Sequence, residues 1–257
     1  MTDKPISIPR YTVPNFVPTT KPYRVLPNGC RRAEVVCSVA HSGGAPVSTP
    51  TFAFPQPLSE KYRPESIADF VGLENLKRIL AKFAAQPYPS AWLFVGPYGV
   101  GKTSMAQALC SEIKGELTHI PSQKCTAQAI EEACYHCHFV PLTGGMHVVL
   151  IDEADRMTPA AQLALLSKLD ATAFPPNTVF IFTCNSTDGL EPRFLSRCRV
   201  IEFSSYGMAN EIASYLDTIW HAEGGNGNAP ELSRLAKESR NNVRDALMKL
   251  EVELMAL

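Results

Sequence analysis

Ala91-Trp92-Leu93-Phe94-Val95-Gly96-Pro97-Tyr98-Gly99-Val100-Gly101-Lys102-Thr103-Ser104-Met105-Ala106-Gln107-Ala108-Leu109-Cys110 joins an apolar run, a glycine loop and a helix-compatible run. Its middle, Gly96 to Thr103, spells G-x-x-x-x-G-K-T. Between a strand and a helix, that spacing is the phosphate-binding P-loop. Glycines let successive backbone N–H groups curl round a polyphosphate, and the helix that follows points its positive end at the same anion. Lys102 then reaches the β- and γ-phosphates, and the Thr103 hydroxyl ligates Mg²⁺. The candidate nucleotide-binding residues are therefore Gly96, Pro97, Tyr98, Gly99, Val100, Gly101, Lys102, Thr103 and Ser104.

The 257 residues leave room for one α/β core and a small further domain, and 45% apolar with 19% charged residues is ordinary for a globular chain. A net charge of −1 excludes a global basic field, so any DNA contact is expected to be local. No apolar run approaches the roughly 18 residues of a membrane span. The start, Met1-Thr2-Asp3-Lys4-Pro5, lacks an apolar signal core. The 8 cysteines form no small-secreted-domain framework. Free thiols in a reducing cytoplasm are the expectation.

Outward from the loop, three regions separate. Residues 1–57 hold the prolines at 5, 9, 14, 18, 22, 27, 46, 50, 55 and 57, out of 21 in the chain. They read as a mostly disordered or extended arm, either solvated or folding on a partner protein, with one short strand possible at Ala33 to Ala40. Residues 58–205 read as the α/β core, with an amphipathic helix over Leu73 to Ala84 and a strand at 91–95. A second strand spans Glu116 to Ile120, and a helix Ala127 to Phe139. His147-Val148-Val149-Leu150-Ile151-Asp152-Glu153 is a buried strand ending in two acids, where α/β sheets bind ligands. Asp152 is the candidate Mg²⁺ ligand, and Glu153 the candidate that polarises the attacking water. A helix over Pro159 to Leu169 leads to the apolar strand Thr178 to Cys184, with Asn185 at its tip. Arg199 to Phe203 is the fifth strand, completing a three-layer parallel sheet core. Residues 206–257 carry three helical runs, Met208 to His221, Pro230 to Glu238 and Asn242 to Ala256, and read as a helical lid.

Together these motifs resemble the AAA+ ATPases, and within them the clamp loaders (replication factor C and its bacterial relatives), over about residues 59–256. Glu60-Lys61-Tyr62-Arg63-Pro64 and Asp69-Phe70-Val71-Gly72 are similar to the opening box that lines the adenine pocket, which nominates Tyr62, Arg63, Val71 and Gly72. Ile151-Asp152-Glu153-Ala154-Asp155 is similar to the D-E-A-D Walker B, and Thr183-Cys184-Asn185 to sensor 1. Ser196-Arg197-Cys198 resembles the triplet whose arginine, Arg197 here, reaches a neighbouring subunit's ATP. Val243-Arg244-Asp245-Ala246-Leu247 resembles the sensor 2 helix, with Arg244 on the γ-phosphate.

The resemblance implies ATP and Mg²⁺ as cofactors, and hydrolysis at interfaces with like or related AAA+ subunits. It also implies DNA and a DNA-bound protein such as a sliding clamp as partners. Another AAA+ DNA motor (branch migration or replication restart) and an ATP-gated scaffold stay open as alternatives. Members of the family carry a helical collar domain after the lid, and the chain reads as lacking one, so assembly is expected to rely on AAA+ contacts, the arm or another protein. Asn241-Asn242 stands where the family often has Gly-Asp. Cys125, Cys134 and Cys137 have the C-x₈-C-x₂-C start of a zinc module without its fourth cysteine, and the run fits an ordinary helix. Gln162-Leu163-Ala164-Leu165-Leu166 looks like a clamp-binding pentapeptide but sits on a core helix, where packing is its expected role.

Overall fold

The computed structural model describes residues 56–142, 144–204, 206–225 and 231–256. The arm expected over 1–57, with its possible strand, lies outside them apart from its last two residues. In chain order the elements are α1 (Leu58–Lys61), α2 (Glu74–Ala85), β1 (Ser90–Val95), α3 (Lys102–Glu112), β2 (Glu116–Pro121), α4 (Ala127–His136) and β3 (His147–Asp152). They continue with α5 (Pro159–Lys168), β4 (Thr178–Cys184), α6 (Pro192–Leu195), β5 (Arg199–Glu202), α7 (Ala209–Ala222), α8 (Leu232–Glu238) and α9 (Val243–Met255).

The five strands form one parallel sheet in the order β2-β3-β4-β1-β5. Period-two alternation sends residues to two apolar layers. Ala91, Leu93, Val149, Ile151, Phe180 and Phe182 face α4 and α5. Trp92, Phe94, Val148, Leu150, Val179 and Ile181 face α2 and α3. Both faces are covered, which is why β1, β3 and β4 read as continuous apolar runs and every residue of β4 is buried. A fully buried large apolar side chain contributes about 1.5–3 kcal/mol and an exposed ion pair about 0–1 kcal/mol. The sheet, not surface pairs such as Lys77–Glu74, therefore holds this layer stack together.

One edge of the sequence reading shifts, and one expectation on a core helix holds. The helix expected to reach Phe139 ends at His136, because His138 and Phe139 bond back three residues to Tyr135 and His136 and tighten the last turn. On α5, Ala161, Gln162, Leu165 and Leu166 are buried, so most of the pentapeptide-like stretch is core.

A third apolar cluster joins α7, α8 and α9 through Ile212, Leu216, Trp220, Leu235, Leu247 and Leu250. Leu58 of α1 belongs to this cluster rather than to either face of the sheet. Among the described residues, no helix is long and apolar enough to cross a membrane.

Candidate nucleotide-binding site

The carboxyl ends of three adjacent strands deliver the site. β1 runs into the glycine loop, β3 ends at Asp152, and β4 ends one residue before Asn185. The loop has to be glycine where it is tightest. Gly101 has φ +92°, and Gly99 has φ +74° with a place for a Cβ only 2.0 Å from Asn242 Oδ1. Gly96 backs onto the Phe203 carbonyl, which a Cβ would meet at 2.4 Å.

The polar groups converge. Lys102 Nζ donates to the carbonyls of Gly96 (2.7 Å) and Pro97 (2.8 Å), and to Asn185 Oδ1 (3.1 Å). Burial lowers its ammonium below the usual 10.5, Arg244 adding to this, while Cys184, Asp152 and Asp155 pull the other way. Thr103 Oγ1 donates to Asp152 Oδ1 at 2.8 Å. These hard oxygens beside the loop are a donor set that suits Mg²⁺ and not a thiophilic metal. Glu153 follows in the left-handed region (φ 55°), its carboxylate 3.6 Å from the Arg156 guanidinium.

Two adjoining pockets form one groove between sheet and helical cluster. Tyr98, Gly99, Lys102, Thr103, Asp152, Glu153, Asn185 and Arg244 line the polar part. Tyr62, Val71, Val100, Met208 and Leu247 are among those lining the apolar part. Arg63, Gly99, Gly101, Ser104 and Arg244 belong to both. A charged, backbone-rich end beside an apolar slot suits a polyphosphate joined to a flat base.

Arg63 is fixed to α3 by bonds to Ser104 Oγ (3.3 Å) and Gln107 Oε1 (2.8 Å). Tyr62 donates its hydroxyl to Glu223, just past α7, and its carbonyl accepts from Tyr215 at 3.0 Å. Gly72 packs on Met208 outside the groove lining. Arg197 is also outside the groove, bonded to the Arg193 carbonyl (2.9 Å) and facing Asp170 at 3.4 Å. Cys125, Cys134 and Cys137 are buried in the apolar layer under α4.

Three residues without an expected role make contacts at the site: Thr183, Asn242 and Glu223. Thr183 stood in the quoted triplet, and its visible signal is a lone hydroxyl near the end of an apolar strand.

Residues 92–206 match the model of the ATPase family associated with various cellular activities (AAA). The replication factor C small subunit of Natronomonas pharaonis is 34% identical over 157 residues, 58% of this chain and 48% of that protein. That of Methanothermobacter thermautotrophicus is 28% identical over 202 residues, 76% of this chain and 62% of that one. Small subunit 1 of Pyrobaculum islandicum is 31% identical over 201 residues, 75% and 60% respectively. The chain thus spans about half to three-fifths of the length of these relatives. In fold it is similar to the RuvB Holliday junction branch migration motor of Thermotoga maritima, with a TM-score of 0.62 at 21% identity over 76% of this chain and 65% of that one. Over residues 92–206 the chain is thus similar to the AAA ATPases, and over a wider span to the small subunits of replication factor C.

Proposed function

We propose that the chain binds ATP with Mg²⁺ in this groove and hydrolyses it while assembled with like or related AAA+ subunits, so as to load or remodel a protein–DNA assembly. The observation that carries the reading is the convergence of Lys102, Asn185, Thr103 and Asp152 at the glycine loop. Lys102 and Arg244 hold the phosphates, and Tyr62, Arg63, Val71 and Gly72 form or back the base pocket. Thr103 and Asp152 hold the Mg²⁺, which when bound offsets phosphate charge. Glu153 takes the proton of the attacking water, and Asn185 orients that water. Arg197, lying outside its own groove, serves a neighbouring subunit's phosphates, as a guanidinium suits bidentate phosphate contact. DNA and a DNA-bound protein such as a sliding clamp are the proposed substrates. Residues 1–57 are the proposed partner-binding arm, residues 58–205 and 206–257 the core and lid, and the compartment is the cytoplasm.

ATP turnover measured against protein concentration, with and without primer–template DNA, tests this. Turnover per subunit should rise with concentration. Arg197→Ala should lower it by about 10³ or more, as a trans-donated arginine does elsewhere. Glu153→Gln should abolish turnover and keep ATP binding. Concentration-independent turnover indifferent to Arg197→Ala would sink the assembly reading, and unchanged turnover in Glu153→Gln would sink the role of Glu153.

A further inference from the structure

We propose that Thr183 is the positioning residue of this site, its single hydroxyl setting both the Asp152 carboxylate and the Glu153 backbone. The inference rests on the reading of the groove as an ATP–Mg²⁺ site.

Thr183 is 2% exposed near the end of β4. Its neighbours Phe180, Ile181, Phe182 and Cys184 are all apolar and buried. A hydroxyl in that setting has to find its partners inside the protein. The register supplies them. Ile151 pairs with Phe182, so one step further along the strands Thr183 lies beside Asp152. Thr183 Oγ1 gives its one proton to Asp152 Oδ1, and the same oxygen accepts the Glu153 N–H at 3.1 Å. Asp152 Oδ1 also receives the Thr103 hydroxyl at 2.8 Å, so the carboxylate is gripped from the glycine loop on one side and from β4 on the other.

Glu153 needs the second bond. Its backbone has φ 55° and ψ 49°, a left-handed conformation that non-glycine residues seldom adopt. Capture of its N–H by Thr183 holds the chain at the point where it leaves β3 and enters the 3₁₀ turn Ala154–Arg156. Threonine suits the task better than serine, because its β-branch restricts χ1 and aims the oxygen. One side chain thereby sets the spacing between the group that holds the metal and the group that takes the proton.

The test compares Thr183→Val, which keeps the shape and removes both bonds, with Thr183→Ser, which keeps the hydroxyl. In the protein without nucleotide or metal, Glu153 amide hydrogen exchange should accelerate about tenfold in Thr183→Val and stay near wild type in Thr183→Ser. A fluorescent ATP analogue should bind both variants as wild type does in EDTA. The affinity it gains on adding Mg²⁺ should shrink about tenfold in Thr183→Val and recover in Thr183→Ser, as expected for a lost bond to a charged group. Turnover should follow the same order. If Thr183→Val does not fold, Thr183→Ala is held to the same expectations. A folded variant without the hydroxyl that keeps wild-type Glu153 exchange and an Mg²⁺-linked gain within twofold overturns the proposal. If the wild type binds Mg²⁺–nucleotide but never turns over, the hydrolysis reading fails, while amide exchange and metal-linked binding still decide the role of Thr183.

Discussion

Asn242 Nδ2 donates to the Tyr98 carbonyl at 3.1 Å while Asn242 Oδ1 accepts the Asp245 N–H at 3.2 Å. One amide side chain thus caps α9 and ties it to the glycine loop. An aspartate at 242 would cap equally well but has no proton for the Tyr98 carbonyl. Asn242→Ala, losing cap and tie together, should cost about 1–2 kcal/mol in urea unfolding. Asn242→Asp should keep most of that stability, and the difference between the two variants reports the cap alone. Equal losses would show that the cap contributes nothing measurable.

Gly99 lies under the same side chain. Alanine there meets two penalties, a φ of +74° and a Cβ placed 2.0 Å from Asn242 Oδ1. Gly99→Ala should cost about 1–3 kcal/mol and weaken ATP binding more than tenfold. In the Asn242→Ala background the collision disappears and only the backbone penalty remains. A double-mutant cycle should therefore show coupling of about 0.5–3 kcal/mol, and strict additivity would refute the contact.

Alkaline pH should destabilise the fold through its thiols. Burial raises Cys110, Cys125, Cys134 and Cys184 from 9.0 to about 11, and Cys198 to about 12. A folded pKa above the unfolded one means the native state binds more protons between the two values. The stability from these groups is complete below pH 9.0 and is lost as pH rises towards about 11. Lys102, lowered by burial, has the opposite sign, but it is one group against several. Under reducing conditions the urea midpoint should hold from neutral pH to about 8.5 and then fall, and Cys134→Ala should make the fall shallower. A midpoint that rises above pH 9 would contradict the assignment.

Lys102→Met separates binding from folding. The ammonium sits half-buried on three oxygens, and methionine fills similar space without the desolvated charge. Unfolding free energy should change by less than about 1 kcal/mol, because the charge removed was itself disfavoured by burial. ATP affinity should fall about 100-fold, consistent with loss of two strong charge-assisted bonds. A large stability loss would recast Lys102 as a structural residue.

The strands and the glycine loop were legible because their signals are local: apolar runs five to seven residues long, and glycines at fixed offsets. Asp152 and Glu153 could be placed because the end of a buried strand is itself a place in an α/β fold. Contacts made across the chain carry no such signal. The Thr183 bond spans 31 residues, Asn242 to Tyr98 spans 144, and Tyr62 to Glu223 spans 161. Nothing in the sequence near Glu223 marks it as a partner of Tyr62, since the first caps the end of α7 and the second the end of α1, and only tertiary packing brings the two ends together. The early stop of α4 was hidden for a related reason. Phe139 belongs to the connection into β3, where its carbonyl meets the His147 ring at 2.7 Å.

Tyr62 and Arg63 are consecutive in the chain yet bonded to different layers, the first to α7 and Glu223, the second to α3. Both line the same groove. Val71 and Leu73, further along the same stretch, pack again on the helical cluster, so the segment from Leu58 to Leu73 stitches the two layers together. The Tyr62–Arg63 peptide is where bonding passes from the helical cluster to the sheet layer, at the wall of the groove. Leu58, buried among α7–α9, makes the short helix α1 a rivet of the helical cluster, so substituting it would loosen that layer and not the sheet.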